Sequence, residues 1–397
     1  MLQVILSKLG KLLSPASLSY LLSILLWLAA VTQAQIDLHS SSPLRSLRNT
    51  LFSTLAGFYT KNDCFEPSVQ EQEAVEQVFL WRLLGSFETD FIHSSSGLLV
   101  LLLAWSRDKR TRPVFLKRHP DSGAGVLATL CRVLNKPTTN VKVVDSVLDI
   151  VHNLVREEEP EEGGEVEEDE RKEQVDVVLV EMETILVHFG SWIRAANANL
   201  KAMRKVGIKL DILACIAPYI TQPDTALELF RQLVILSNSL KKSDTVIKVL
   251  AISKLLMVHI EKDKVKDVVV DLVPFFGKMT NRKERAELGQ IFENSAVSDP
   301  SLELTARICV ELNSFDRKRM EEPDFERRMA IFKRVRDELK QGGGLGELEL
   351  TAVIYNCSYY LKYEVGRSTI PSPIQTCSFS SISGRLLSQN ERPGGAR

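Results

Sequence analysis

Apolar residues spaced three and four apart set the tightest limit on what this chain can fold into. Between Asn140 and Leu154 they fall at Val141, Val143, Val144, Val147, Leu148, Ile150, Val151 and Leu154. That is the stripe of a helix pressed against another helix. The spacing recurs, with short polar breaks, along nearly the whole sequence, and sustained strand-like alternation is missing. A chain patterned this way packs helices on helices.

Candidate helices run near 2–13, 16–33, 45–58, 69–84, 97–107, 122–134, 140–155 and 175–189. They continue near 193–216, 224–239, 244–258, 262–278, 282–294, 299–312, 324–340 and 347–362. The joins carry Pro, Gly, Ser, Asn or Asp, as at Lys136-Pro137-Thr138-Thr139. Helix pairs at about 40 residues per unit predict an all-α, HEAT-like helical-repeat solenoid, an armadillo-like superhelix. Asp224 or Thr225 is positioned to cap a helix burying Leu227, Phe230, Leu233, Val234 and Leu236. Ser243 or Asp244 starts the next, with Val246, Ile247, Val249, Leu250, Ile252, Leu255 and Leu256 available for its inner face.

Two stretches interrupt the packing. Glu157 to Glu170 holds ten acidic residues in fourteen, broken by Pro160, Gly163 and Gly164. Self-repulsion and glycine predict a solvated, disordered loop there. The Ser-, Pro- and Gly-rich end lacks a helical stripe and reads as flexible. The expected organisation is HEAT-like repeats over 1–155, the acidic loop over 156–174, repeats over 175–364 and an atypical tail over 365–397.

The amino end admits two readings. No charge interrupts Leu12 to Ile36, Lys8 and Lys11 precede it, and Thr32-Gln33-Ala34 imitates a small-residue cleavage site. A targeting or membrane segment has this form. So does a buried helix, and the break at Ser14-Pro15 looks like a fresh helix start.

The search for chemistry finds little. The net charge of -1 leaves whole-chain charge silent about nucleic acid. Cys64, Cys131, Cys215, Cys309, Cys357 and Cys377 contain no CxxC pair and read as scattered thiols rather than a metal set or a disulfide scaffold. The six histidines form no HExxH, and His152 and His188 lie on apolar helices. Gln341-Gly342-Gly343-Gly344 has no following Lys-Ser or Lys-Thr and reads as a helix–helix turn. Asp145 and Asp149 share one helix face and read as solvated. Asn356-Cys357-Ser358 is a glycosylation acceptor only in a translocated chain. No catalytic residues, metal ligands or cofactor are expected.

One basic run stands out. Arg107, Lys109, Arg110, Arg112, Lys117 and Arg118 are opposed in that interval only by Asp108 and follow an apolar helix ending at Trp105. A buried helix thus delivers cations to the surface, where they suit RNA phosphates or an acidic protein. Ordinary surface charge is the plainer reading. The run Arg317, Lys318 and Arg319 and the run Arg282, Lys283 and Arg285 are mixed with acids and weaker.

Several separated blocks carry a family likeness. One is Leu102-Leu103-Ala104-Trp105-Ser106-Arg107, continuing to Lys117-Arg118-His119-Pro120. Another is Val144-Asp145-Ser146-Val147-Leu148-Asp149-Ile150-Val151. The most specific is Leu312-Asn313-Ser314-Phe315-Asp316-Arg317 with Asp324-Phe325-Glu326-Arg327-Arg328, leading to Tyr355-Asn356-Cys357. Through these, residues 1–362 resemble an internal part of the large HEAT-repeat family of small-subunit processome component 20 homologs, which are associated with the U3 small nucleolar RNA. The resemblance implies a non-enzymatic nucleolar scaffold supporting precursor ribosomal RNA processing. Its implied partners are processome proteins, the U3 small nucleolar ribonucleoprotein and precursor ribosomal RNA, with no membrane. It also implies that Leu21 to Val31 is interior solenoid helix, and that the chain is a fragment of a longer array. Two alternatives carry other expectations. A helical-repeat transport or adaptor protein would hold peptide cargo, and glycosylation at Asn356 or removal of the segment ending at Ala34 would mark a secreted or membrane protein.

Overall fold

The computed structural model describes residues 13–38, 42–61, 66–85, 87–90, 97–156, 176–199, 203–315, 322–340 and 345–360. Among them the elements are helices and helical turns, with two isolated antiparallel bridges and no strand. This is the expected all-α helical-repeat architecture. The expected helix at 2–13, the acidic loop, the glycine turn at Gly342 to Gly344, the Arg317 to Arg319 run and the tail lie outside the described residues. Contacts divide the chain into two compact units, Met1–Leu240 and Lys241–Arg397.

The first unit begins with α1 (Pro15–Leu38), α2 (Ser42–Lys61), α3 (Val69–Val75) and α4 (Gly97–Arg107). Helices α5 (Val126–Leu134), α6 (Val141–Val155), α7 (Met182–Ala198), α8 (Val206–Ile216) and α9 (Pro223–Ser239) complete it. Beyond α2, packing runs mainly from each helix to the next but one. Helix α2 lies on α4, α4 on α6 and α6 on α8, while α5 and α9 lie on α7. Stacked helix pairs have this signature, because each buries its stripe against the equivalent helix of the following pair. Helix α6 shows the stripe working: Val143, Val147, Ile150, Val151 and Leu154 are buried, while Val141 at its start faces out. Where α2 meets α4 there is room only for glycine, since a Cβ on Gly97 would sit 2.6 Å from that of Phe52.

Helix α1 is long and apolar enough to cross a membrane by length and composition. It packs against α2 through Leu18, Leu22, Leu25 and Ala29, all buried, and leaves Tyr20 and Trp27 exposed. The buried set falls on one face at spacing of four, three and four, and only 28% of the apolar stretch is buried.

Several expectations need correcting. The break placed between 189 and 193 is absent, and α7 runs through Gly190 to Ala198. The chain turns later, at Lys205, whose φ of 51° puts it in the left-handed region. Asp145 and Asp149 are accordingly not a solvated face. Arg204 pairs with Asp145, and the Lys205 ammonium bonds Asp149 and the Asp145 carbonyl. Two ion pairs thus pin a backbone conformation that lysine rarely adopts. At the start of α9, Gln222 occupies the cap position and makes no side-chain cap bond. Pro223 holds the first turn, and Asp224 lies inside it.

The second unit comprises α10 (Ser243–Met257), α11 (Lys262–Leu272), α12 (Arg282–Ser298), α13 (Glu303–Leu312), α14 (Phe325–Lys340) and α15 (Glu347–Tyr359). A short turn, Phe275–Lys278, follows α11 instead of the expected extension to 278, because Pro274 interrupts the ladder. Helix α12 is the centre, packing on α10, α11 and α13, and α13 in turn carries α14 and α15. Val246, Val249, Leu250, Ile252 and Leu256 are buried as expected, and Ile247 and Leu255 are half-buried.

Candidate functional site

The basic run begins where α4 ends. Asp108 turns the chain: its carbonyl accepts from the backbone of Thr111 and Arg112, and Thr111 Oγ1 donates back to the Trp105 carbonyl at 2.7 Å. The Arg110 guanidinium clamps the Asp108 carboxylate at 2.6 and 2.9 Å and reaches Glu66 at 3.7 Å. Partial burial alone would raise the Asp108 carboxyl, but these bonds outweigh it and hold the group below the usual carboxylate range.

A 3-10 turn, Arg112–Leu116, follows, with Pro113 in its first turn. It turns Arg112, Val114 and Phe115 inward and Leu116 outward. Lys117 then reaches across to Glu76, donating to both carboxylate oxygens at 2.8 Å. Glu76 is buried and opens a π-helical turn, Glu76–Trp81, that continues α3. A buried carboxylate needs such a partner, so Lys117 anchors this unit's interior. Arg118 bridges to Gly125 through backbone, around a turn in which Gly123 takes a φ of 67°.

The six cations of the run therefore divide. Arg112 is buried, and Lys117 and Arg110 are bound to carboxylates of the same unit. Arg107, Lys109 and Arg118 stand exposed, and Lys109 is also engaged within the chain. Beside Arg118 lies a hollow of about 380 Å³ lined by Phe115, Leu116, Ala124, Leu127 and Val180.

A second polar cluster sits inside the other unit. Arg285 is 1% exposed. Its Nε donates to Asn313 Oδ1 at 2.9 Å, one terminal nitrogen to Asn356 Oδ1 at 2.8 Å, and the other to the carbonyls of Phe276 and Met279. Tyr359 covers the guanidinium face at 3.9 Å. Asn313 and Asn356 are themselves joined at 2.8 Å, and each donates to a carbonyl four residues back. Arg328 repeats the device, bonding the Ser314 carbonyl under Tyr360 at 4.3 Å. The block that carried the family likeness, Leu312 to Phe315 with Arg328 and Asn356, is thus an arginine cage that locks α12, α13, α14 and α15 together. Asn356 is fully buried with both ends of its amide engaged, so the folded chain offers no glycan acceptor there. The charge run Arg282 to Arg285 gave no hint of this.

Among the described residues, no three His, Cys, Asp or Glu side chains come together as a metal site. Cys131, Cys309 and Cys357 are buried, and burial pushes their thiols up, that of Cys357 to about 12. Thiols so placed are packing groups, not nucleophiles. The family model described as U3 small nucleolar RNA-associated protein 20, N-terminal, matches residues 1–367.

Proposed function

Since the chain belongs to the U3 small nucleolar RNA-associated protein 20 N-terminal family, we propose that it works in the nucleolus as a non-enzymatic scaffold of the small-subunit processome. In this role it supports precursor ribosomal RNA processing and small-subunit biogenesis, in company with processome proteins and the U3 small nucleolar ribonucleoprotein. The observation that carries the reading is a family match over almost the whole of a helical-repeat chain. Stacked helices offer long rigid surfaces, which suits holding partners in register. Arg107, Lys109 and Arg118 supply exposed cations for phosphate or an acidic partner, while Arg110, Arg112 and Lys117 keep the segment in shape.

The test is recovery of U3 RNA with the tagged chain from nucleolar extract, for wild type and for the variant Arg107→Glu, Lys109→Glu, Arg118→Glu. Wild type should recover U3 RNA. The variant should recover less, with the deficit largest at low salt and shrinking as salt rises, and helical circular dichroism unchanged. Equal recovery would remove the basic segment from the reading. Recovery of peptide cargo without RNA by the wild type would replace the scaffold with an adaptor.

A further inference from the structure

Helix α14 touches the rest of its unit along one narrow face. Arg328, Ile331 and Val335 are its buried residues, and of the longer helices α13 is its main support. Arg327 staples the first turns to Glu311 at 2.5 and 2.9 Å. The remaining turns face away from the core. At 100° per residue, Lys333, Arg336 and Lys340 fall within a narrow arc opposite Ile331 and Val335, and all three are exposed.

Little in the fold accounts for this row. Arg336 has an exposed neighbour in Asp337 at 3.6 Å, a pair of small worth. Among the described residues, no carboxylate pairs with Lys333 or Lys340, or with Arg334 on the flank of the row. Complementing the helix dipole calls for one cation in the last turn, a place Lys340 takes. The others exceed that need. They span about 10 Å along the helix, a spacing that suits successive phosphates of one strand.

We infer that the outward face of α14, through Lys333, Arg336 and Lys340, binds the phosphate backbone of RNA without regard to sequence. The choice of RNA over another polyanion rests on the processome reading; the row and its exposure do not. Among the described residues no base-stacking array accompanies the cations, so the contact proposed is to the backbone.

The test uses the full chain and a fluorescein-labelled 20-nucleotide polyuridylate, followed by anisotropy across a salt series. Each phosphate contact to a single strand contributes about 0.7 to the slope of log affinity against log salt, so losing three lowers it by about 2. Between about 50 and 200 mM salt, wild type should lose about 20-fold more affinity than Lys333→Gln, Arg336→Gln, Lys340→Gln. Circular dichroism should show the same helicity for both. An unchanged slope in that variant would overturn the inference. So would displacement of the RNA by polyglutamate at equal charge, which would point to an acidic protein. The Arg107, Lys109 and Arg118 variant separates the two readings. If it alone flattens the slope, the α14 site fails while the scaffold reading stands.

Discussion

Lowering the pH from about 7 to about 4.5 should weaken the Met1–Leu240 unit by way of His188. Its Nδ1 lies 3.0 Å from the carbonyl oxygen of Leu134. The carbonyl only accepts, so Nδ1 carries the proton of the neutral ring and Nε2 must take up the second. That Nε2 is buried without a hydrogen-bond partner. Burial first, then the Lys209 ammonium, pushes the imidazole down to about 4, against the opposing Leu134 bond. In the unfolded chain the ring titrates near 6.5. Between the two values the unfolded state holds a proton that the native state refuses. Stability is therefore full above about pH 6.5 and falls as pH drops toward 4. The whole shift is worth about 3 kcal/mol, and about 2 kcal/mol of it is gone at pH 4.5. All four tryptophans, Trp27, Trp81, Trp105 and Trp192, lie in this unit, so their fluorescence in urea follows it alone. His188→Gln keeps an N–H donor for Leu134 and removes the titration. Acidification should cost wild type about 2 kcal/mol more than the variant; equal losses would refute the argument, because His188 would then protonate as freely folded as unfolded.

Lys209 should act at the other end of the scale. Burial lowers its ammonium to about 8, with Asp145 opposing, and it rests 4.6 Å above the Trp192 ring. The unfolded chain holds this proton up to the ordinary lysine value, so stability should rise between about pH 8 and 10. Lys209→Met should abolish the rise in urea melts. Arg285→Met should cost about 3 kcal/mol or more, because Asn313, Asn356 and two carbonyls lose their partner inside the core; Arg285→Lys should rescue little, having no planar fork. Gly97→Ala should cost about 1–3 kcal/mol through the clash with Phe52. Gly57→Ala, with nothing within 4 Å of its Cβ, should instead gain about 0.5–1 kcal/mol. Thermal melts of that pair read both signs.

The helices were legible because burial here follows period 3.6 closely, as along α6 and α10. Pairings between helices were not legible. Lys117 finds Glu76 across 41 residues, and Arg110 finds its partner Asp108 next door and a second, Glu66, in an earlier segment. Within its own interval the basic run looked nearly unopposed, since a one-dimensional charge tally cannot register acids that the fold brings in. The turn at Lys205 was missed for a related reason. Gly190 is the residue that permits a break, yet the ion pairs to Asp145 and Asp149 are what impose one further on.

The buried cations could have been found by giving position precedence over residue type. Arg285 precedes Leu288 by three and Phe292 by seven, and Arg328 stands in the same relation to Ile331 and Val335. Lys209 does so again with Ile212 and Ile216. Each occupies a slot of the apolar stripe that the periodicity marks for burial, and each is buried, under an aromatic ring. Lys333, Arg336 and Lys340 are the same residue types at slots the periodicity leaves outside, and they are exposed. The long alkyl or guanidinium-bearing chain is common to both sets, so composition cannot separate an interior brace from an outward contact. Helical phase can, and for this chain it does so at every one of these six positions.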